Sequence, residues 1–357
     1  MRRRCEPGRS RGFTIVELLV VVSIIALLVG ILLPAIGKAR DQAKLSISRA
    51  NLRQLGQAHA TYASEWNDRQ VTLANDNLSR YGNSPAAAVA GYNSSVGQAH
   101  PGIRIGWGQS GLAWGYWIGN AGAGWLLQPI DFSNGWGWFR MPNVKPFTTY
   151  LNGRFYDPVL YAPKDRVPMS LLDQCMATPF EFIDCFDDPN LNFVISSYCF
   201  SAAAMYSPDV MSEEGFQDPW SLPGGLRCPS MSQARYSDLK TNFIEHHWLQ
   251  NTHAECNPNF APGNFDGCEP FYYNHGRESV PMCAFYDGHV EGLGTMEADA
   301  ASSRAASQSS TGMGLWHNGT PFGTDGYFIT DGWDGSTNTS FHVLTTNGIL
   351  GRDKLGG

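Results

Sequence analysis

From Leu18 to Gly37 the chain has no charged residue, and most side chains in that run are aliphatic. Twenty residues in a helix rise roughly 30 Å, which is the hydrocarbon thickness of a bilayer. Arg2, Arg3, Arg4, Arg9 and Arg11 precede the run against Glu6 alone, and one carboxylate, Glu17, stands at its edge. A secretory signal peptide shares the basic start, but its apolar core is shorter and ends in a small-residue cleavage site. No Ala-x-Ala-like site follows here. A helix buried in a soluble core would not be this uniformly apolar, so the run predicts a retained, single-pass membrane helix over residues 13–36.

Glu17 requires an explanation in such a helix. A carboxylate near the bilayer centre costs roughly 2.5–3.5 kcal/mol on insertion scales, and less towards the interface. One solution places it among the headgroups, solvated. The other pairs it with a cation, and an unpaired charge in lipid would then favour contact between subunits.

After Pro34 a helical pattern resumes. Leu45, Leu52, Leu55, His59, Tyr62 and Trp66 recur at steps of seven, three, four, three and four, which is one face of an α-helix. Pro34 lacks an N–H and is expected to bend or loosen the helix without ending it. A continuous helix over residues 13–66 would be about 80 Å long. Its outer part, residues 37–66, forms an amphipathic stalk that must bury its stripe, most simply on a sheet of the chain's own head.

The head, residues 67–357, has 15 Lys/Arg against 28 Asp/Glu. An acidic body lacks the basic face that offsets phosphate charge, which argues against a nucleic-acid partner. Charged residues make up only 16% of the chain while Gly reaches 39 and Trp 11, favouring a loop-rich domain with β structure. Asn67 and Asp68 mark the end of the stalk, and a Gly/Ala/Ser-rich stretch runs from Asn83 to Gly102. A Trp/Gly-rich insertion follows at about 101–140, with Trp107, Trp114, Trp117, Trp125, Trp136 and Trp138. These rings could form a stacking platform for sugars or a partner, or pack as irregular core. Short apolar runs then alternate with Pro, Asn, Asp and Gly, including Asn192–Ala204 and Cys283–Leu293. Within the second, Asp287-Gly288 predicts a hairpin through a type I′ turn, with positive φ at both central residues. Residues 297–312 read as an Ala/Ser-rich loop or frayed helix, and Phe341–Leu344 as a strand.

The N-terminal residues carry a resemblance. Gly12-Phe13-Thr14-Ile15-Val16-Glu17, followed by Leu18-Leu19-Val20-Val21-Val22, resembles the class III signal of type IV pilins and type II secretion pseudopilins. That resemblance implies a leader of residues 1–12, cleavage between Gly12 and Phe13 by a prepilin peptidase, and methylation of the new Phe13 terminus. It also implies that Glu17 is the assembly carboxylate, able to meet the new terminal ammonium of its own or a neighbouring helix. Pro34 is similar to the helix-kinking proline of pilins. The implied fold is α+β: a long N-terminal helix packed on an antiparallel sheet head, with large loop insertions. The implied partners are copies of itself, other pilin-like subunits, the peptidase and an inner-membrane assembly platform. The implied role is a structural, non-catalytic subunit of a secretion pseudopilus or a pilus-like filament. Orientation rests on the resemblance too, with the N-terminus cytoplasmic and the head outside. The count of basic residues is a tie, since Lys38, Arg40, Lys44, Arg49 and Arg53 balance the leader arginines. A looser resemblance joins Asn274-His275-Gly276 and Asp287-Gly288 to the H-x9-DG signature of planctomycete-type pilin-like proteins, although eleven residues separate His275 from Asp287.

Other chemistry is less strongly indicated. Seven cysteines lie beyond the leader residue Cys5, none in a Cys-x-x-Cys pair, so the usual zinc or redox spacing is missing. In an oxidising compartment Cys175–Cys185 and Cys256–Cys268 are candidate short-loop disulfides, and an odd count leaves at least one free thiol. Glu245, His246, His247, His253 and Glu255 have metal-ligand chemistry without ligand spacing. Asp331, Asp334 and Asn338 bring oxygen ligands into a Gly-rich turn that could hold calcium or simply be solvated; the EF-hand spacing and terminal Glu are missing. No cofactor is otherwise expected. Two rival functions remain: an anchored binding module using the Trp-rich head, and an anchored hydrolase using Glu245 or Asp287.

Overall fold

The computed structural model describes residues 14–72, 77–96, 103–105, 112–114, 128–133, 137–178, 180–181, 196–245, 280–317, 319–321 and 343–356. The chain divides into two compact units, Met1–Lys44 and Leu45–Gly357. Helix α1 (Ile15–Glu65) runs through that boundary without interruption, Pro34 included.

Within the first unit, from Leu18 to Gly37, the helix is apolar on all sides. Ile15, Leu19, Leu27, Ile31 and Leu33 are each more than 60% exposed. No polar face interrupts this surface, as expected of a helix whose solvent is hydrocarbon. Among the described residues, α1 is long and apolar enough to cross a membrane.

The second unit begins with the outer part of α1. Leu52, Leu55, Ala58, His59, Tyr62 and Ala63 are buried there, and Leu45 packs half-buried against the same core. Their partner is a four-stranded antiparallel sheet ordered β3 (Tyr198–Phe200), β6 (Thr241–Glu245), β7 (Met282–Phe285) and β8 (Val290–Gly292). The stalk therefore buries its stripe on the head's own sheet, as its sequence demanded. Trp66, expected at the end of that stripe, is instead 50% exposed. It stacks on Tyr62 at 5.8 Å, and its indole N–H donates to the Tyr150 hydroxyl at 2.9 Å. The helix ends where anticipated, because Asn67 and Asp68 both adopt left-handed backbone (φ 54° and 64°) and the Asp68 N–H caps the Ala63 carbonyl at 2.7 Å.

Aromatic rings fill the space between helix and sheet. Phe200 and Phe243 approach to 4.4 Å between centroids, Phe147 packs on both, and Trp138 meets Phe200 at 5.3 Å. Trp138 is fully buried, so this tryptophan of the insertion is core and not platform. It enters through Gly137, where any Cβ would stand 2.0 Å from the Pro129 carbonyl oxygen. Trp114 lies on β2 (Leu112–Trp114), paired antiparallel with β1 (Ile103–Ile105), and a second two-stranded ladder joins β4 (Met211–Ser212) to β5 (Gly215–Phe216). Trp107, Trp117, Trp125 and Trp136 lie outside the described residues.

The hairpin at Asp287-Gly288 forms, joining β7 to β8, but its turn differs from the expected one. The Gly288 N–H donates to the Phe285 carbonyl at 2.9 Å, the Phe285 N–H to His289 at 3.0 Å, and Gly288 alone has positive φ, at 90°. This is a three-residue connection with its glycine in the bulge position, so Asp287 escapes left-handed strain. Asp287 instead accepts the His289 N–H at 3.0 Å.

Two stretches rich in small residues form helices. The Ala/Ser-rich segment forms α5 (Thr295–Gln308), because Ala298, Ala301 and Ser302 fall on one face and are buried. The stretch after Ser84 opens with α2 (Pro85–Val96), with proline at its first position. Conversely Val343 and Leu344 are buried without forming a strand; the chain turns there and runs into a 3-10 turn at Gly348–Leu350.

The C-terminal tail is fastened by a buried ion pair. Lys240 Nζ donates to Asp353 Oδ2 at 2.8 Å, to the Ser201 hydroxyl at 2.7 Å and to the Thr345 hydroxyl at 2.8 Å. Asp353 also accepts the Thr241 N–H (2.9 Å), the Thr241 hydroxyl (2.6 Å) and the Thr345 hydroxyl (2.6 Å). Every ammonium proton is used, which is the condition for keeping such a pair out of water.

Candidate assembly site

Local geometry at the start of α1 follows from the spacing Thr14-x-x-Glu17. The Glu17 N–H donates to the Thr14 hydroxyl at 3.3 Å. In return Glu17 Oε2 accepts the Thr14 N–H at 2.8 Å and the Thr14 hydroxyl proton at 2.7 Å. This is a reciprocal capping box, satisfying helix N-terminal donors that otherwise have no partner. Glu17 is thus hydrogen-bonded before any second chain approaches, while its side chain stays exposed. The partner Thr14 was overlooked in the sequence, although Thr followed three residues later by Glu is the signal that reveals it. Gly12 and Phe13 lie outside the described residues. Further along, α1 continues through Pro34, whose missing N–H leaves the Gly30 carbonyl without its helical donor.

A family model described as the prokaryotic N-terminal methylation motif matches residues 7–33. The chain carries that methylation motif at its N-terminus. It is also 40% identical over 68 residues to the type IV major pilin protein PilA of Myxococcus xanthus (strain DK1622). That alignment covers 19% of this chain and 30% of the pilin, so the likeness spans less than a third of the relative's length. No solved structure matches the chain. The matched motif overlaps the start of α1, and the α+β arrangement of a long N-terminal helix with an antiparallel sheet is pilin-like.

The remaining candidate residues have local explanations or fall outside the described part. Glu245 is buried on β6, where one oxygen accepts the Ser48 hydroxyl and the other the Met282 N–H at 2.7 Å. Ser48 also pairs with the Tyr198 hydroxyl at 2.8 Å, and Asn51 Nδ2 donates to the Tyr161 carbonyl at 3.2 Å. Burial, then the nearby Glu245 charge, pushes the Tyr198 phenol far above its usual range. These polar positions on α1 were not anticipated, because the stripe was read from its apolar members alone. His246, His247, His253 and Glu255 lie outside the described residues, as do Asp331, Asp334 and Asn338. Among the described residues no group of three or more His, Cys, Asp or Glu is placed to hold a metal ion.

His59 is buried on the stalk's inner face and is held at both ring nitrogens. Its Nδ1 lies 2.9 Å from Asn242 Oδ1, and its Nε2 accepts the Val71 N–H at 3.2 Å. The second bond requires an unprotonated Nε2, so the ring is neutral with its proton on Nδ1. Burial, partly offset by Asn242, lowers its pKa to about 4.

Cysteine placement is mixed. Cys175 on α4 (Arg166–Ala177), the helix after the one-turn α3 (Lys145–Thr148), is disulfide-bonded to a partner outside the described residues. Cys185, Cys256 and Cys268 all lie outside them. Cys199 and Cys283 are not disulfide-bonded; both are buried and aligned on either side of Ile244 across the sheet. Burial pushes both thiols up, which leaves them unreactive.

Proposed function

We propose that this chain is a membrane-anchored, pilin-like structural subunit, cut between Gly12 and Phe13, methylated on Phe13, and assembled through its N-terminal helices. One observation carries the proposal: the methylation motif over residues 7–33 coincides with an exposed apolar helix whose single early carboxylate is Glu17. Likeness to a type IV major pilin over 68 residues supports a filament of pilus type more directly than a secretion pseudopilus. In this reading a prepilin peptidase processes the leader, the N-terminus faces the cytoplasm, and an inner-membrane platform assembles the subunits.

The chemistry of assembly follows from the capping box. Cleavage leaves an ammonium on the residue next to Thr14, whose N–H already points at Glu17. A neighbouring subunit's ammonium can displace the hydroxyl contact and pair with the carboxylate. In hydrocarbon that exchange replaces a lone charge by a neutralised pair, which favours packing of one helix against the next. Mass spectrometry of the protein from cells with active peptidase should find N-methylated Phe13 at the terminus. An intact Met1 terminus would overturn the proposal. Glu17→Ala should leave cleavage intact while reducing recovery in sheared filaments at least tenfold; unchanged recovery would remove Glu17 from the mechanism.

A further inference from the structure

A cleft of about 410 Å³ opens in the head where residues distant in sequence converge: Arg235 and Tyr236, the end of α5, and the C-terminal turn from Thr346 to Arg352. Its volume lies within the range of ligand sites, roughly 300–1,000 Å³. Two guanidinium groups stand over one ring in this cleft, Arg235 at 5.5 Å and Arg352 at 5.3 Å from the Tyr236 centroid. Among the described residues, neither arginine forms an ion pair or donates a side-chain hydrogen bond. Placing two like charges beside one ring in a chain of net charge −7 leaves cations without their commonest partners. The one carboxylate in the lining, Glu213, is engaged at the rim by the Asn347 side-chain amide at 3.0 Å.

A second observation is independent of the arginines. Thr346 also lines the cleft and is 5% exposed, yet its hydroxyl has no hydrogen-bond partner. A buried hydroxyl left unpaired carries a desolvation cost that a ligand hydrogen bond would remove. Guanidinium is the side chain best matched to carboxylate and phosphate, since its fork donates two parallel hydrogen bonds. Stacking on Tyr236 holds each fork without using its N–H groups, so the donors remain available for a ligand.

We infer that this cleft is an oxyanion-binding site, taking a ligand up to the size of a sugar that bears a sulfate, phosphate or carboxylate group. Arg235 and Arg352 bind the anionic oxygens and Thr346 supplies a neutral contact. The inference does not depend on filament assembly, because every residue it uses lies in the head. The group could arrive as a free anion or on an acidic sugar, and the two sources separate in one experiment.

Isothermal titration calorimetry of the full chain in non-ionic detergent, at low ionic strength, should be run with sodium sulfate, sodium phosphate, glucose 6-sulfate and glucuronate. Saturable binding to one site is expected, weakening at least tenfold in Arg235→Gln/Arg352→Gln and falling as sodium chloride is added. Binding confined to sulfate and phosphate assigns a free anion, whereas tighter binding of the sugar acids assigns an acidic glycan. Arg235 is exposed, so Arg235→Gln alone should keep the melting temperature and still weaken binding severalfold. Should the double variant fail to fold, this single variant decides. Lack of saturable heat with all four probes, or unchanged affinity in Arg235→Gln, would overturn the site and reduce the paired arginines to structural packing on Tyr236.

Discussion

Residues 15–36 and residues 45–65 belong to one helix, yet the two stretches solve opposite problems. In the first, large aliphatic side chains are exposed on every side, with Leu27 at 66% and Ile31 at 68%. In the second, Leu52 and Leu55 are fully buried, and Ser48, Asn51 and His59 each hold a specific polar partner on the head. The first stretch is uniform because lipid asks only for hydrocarbon. The second is patterned because a sheet has a definite surface with its own hydrogen-bonding groups. Uniformity makes a stretch tolerant of substitution, and complementarity makes it sensitive.

The sharpest break of that comparison is at the tail, far from α1 in sequence. Asp353→Ala removes the partner of a fully buried Lys240. Losing one member of such a pair costs about 3–5 kcal/mol. Urea unfolding of the full chain in detergent should show that loss, while retention in the detergent phase through residues 15–36 stays unchanged. A matched leucine pair tests the helix itself. Leu55→Ala should destabilise the head by about 2–5 kcal/mol, whereas Leu27→Ala should leave the urea midpoint unmoved. Equal effects at the two positions would erase the distinction.

His59 extends the comparison to pH. The unfolded histidine ionises near 6.5, whereas the folded ring stays neutral until about 4. Between those values the unfolded state binds the extra proton, so this group's contribution is intact above pH 6.5 and is lost as pH falls towards 4. The loss reaches about 3 kcal/mol. His59 ring resonances followed by NMR should titrate near 4, and an ordinary midpoint near 6.5 would refute its burial. The smallest effect is expected at the hairpin. Gly288 has φ of 90°, so Gly288→Ala should cost about 1 kcal/mol in the urea assay. A neutral result would mean that the turn relaxes to another type.

Much of this organisation could be read from the chain before its coordinates. The charge-free run, the stalk periodicity, the stop at Asn67-Asp68 and the Asp287-Gly288 hairpin are local signals, each set by residues within a few turns or one connection. The sequence was ambiguous or misleading where burial was decided at a distance. The Ala/Ser-rich segment, readable as loop or frayed helix, became α5 because Ala298 and Ala301 found a core to enter. Val343 and Leu344 are buried beside a single isolated bridge, Trp316 to Thr345, so this apolar pair lies in a turn and not in a strand. Trp66 left the stripe because Tyr150 offered its indole a hydrogen bond at the end of the helix.

By itself the sequence determined the N-terminal anchor, Glu17 at its edge and the face that the stalk would bury, since helix period, hydrophobicity and charge act through neighbours along the chain. Only the tertiary structure decided that Glu245 and His59 fasten the stalk to the sheet and that Arg235 and Arg352 converge on Tyr236. These contacts join residues from 12 to nearly 200 positions apart. Such contacts depend on how the backbone returns to itself, which no local pattern encodes.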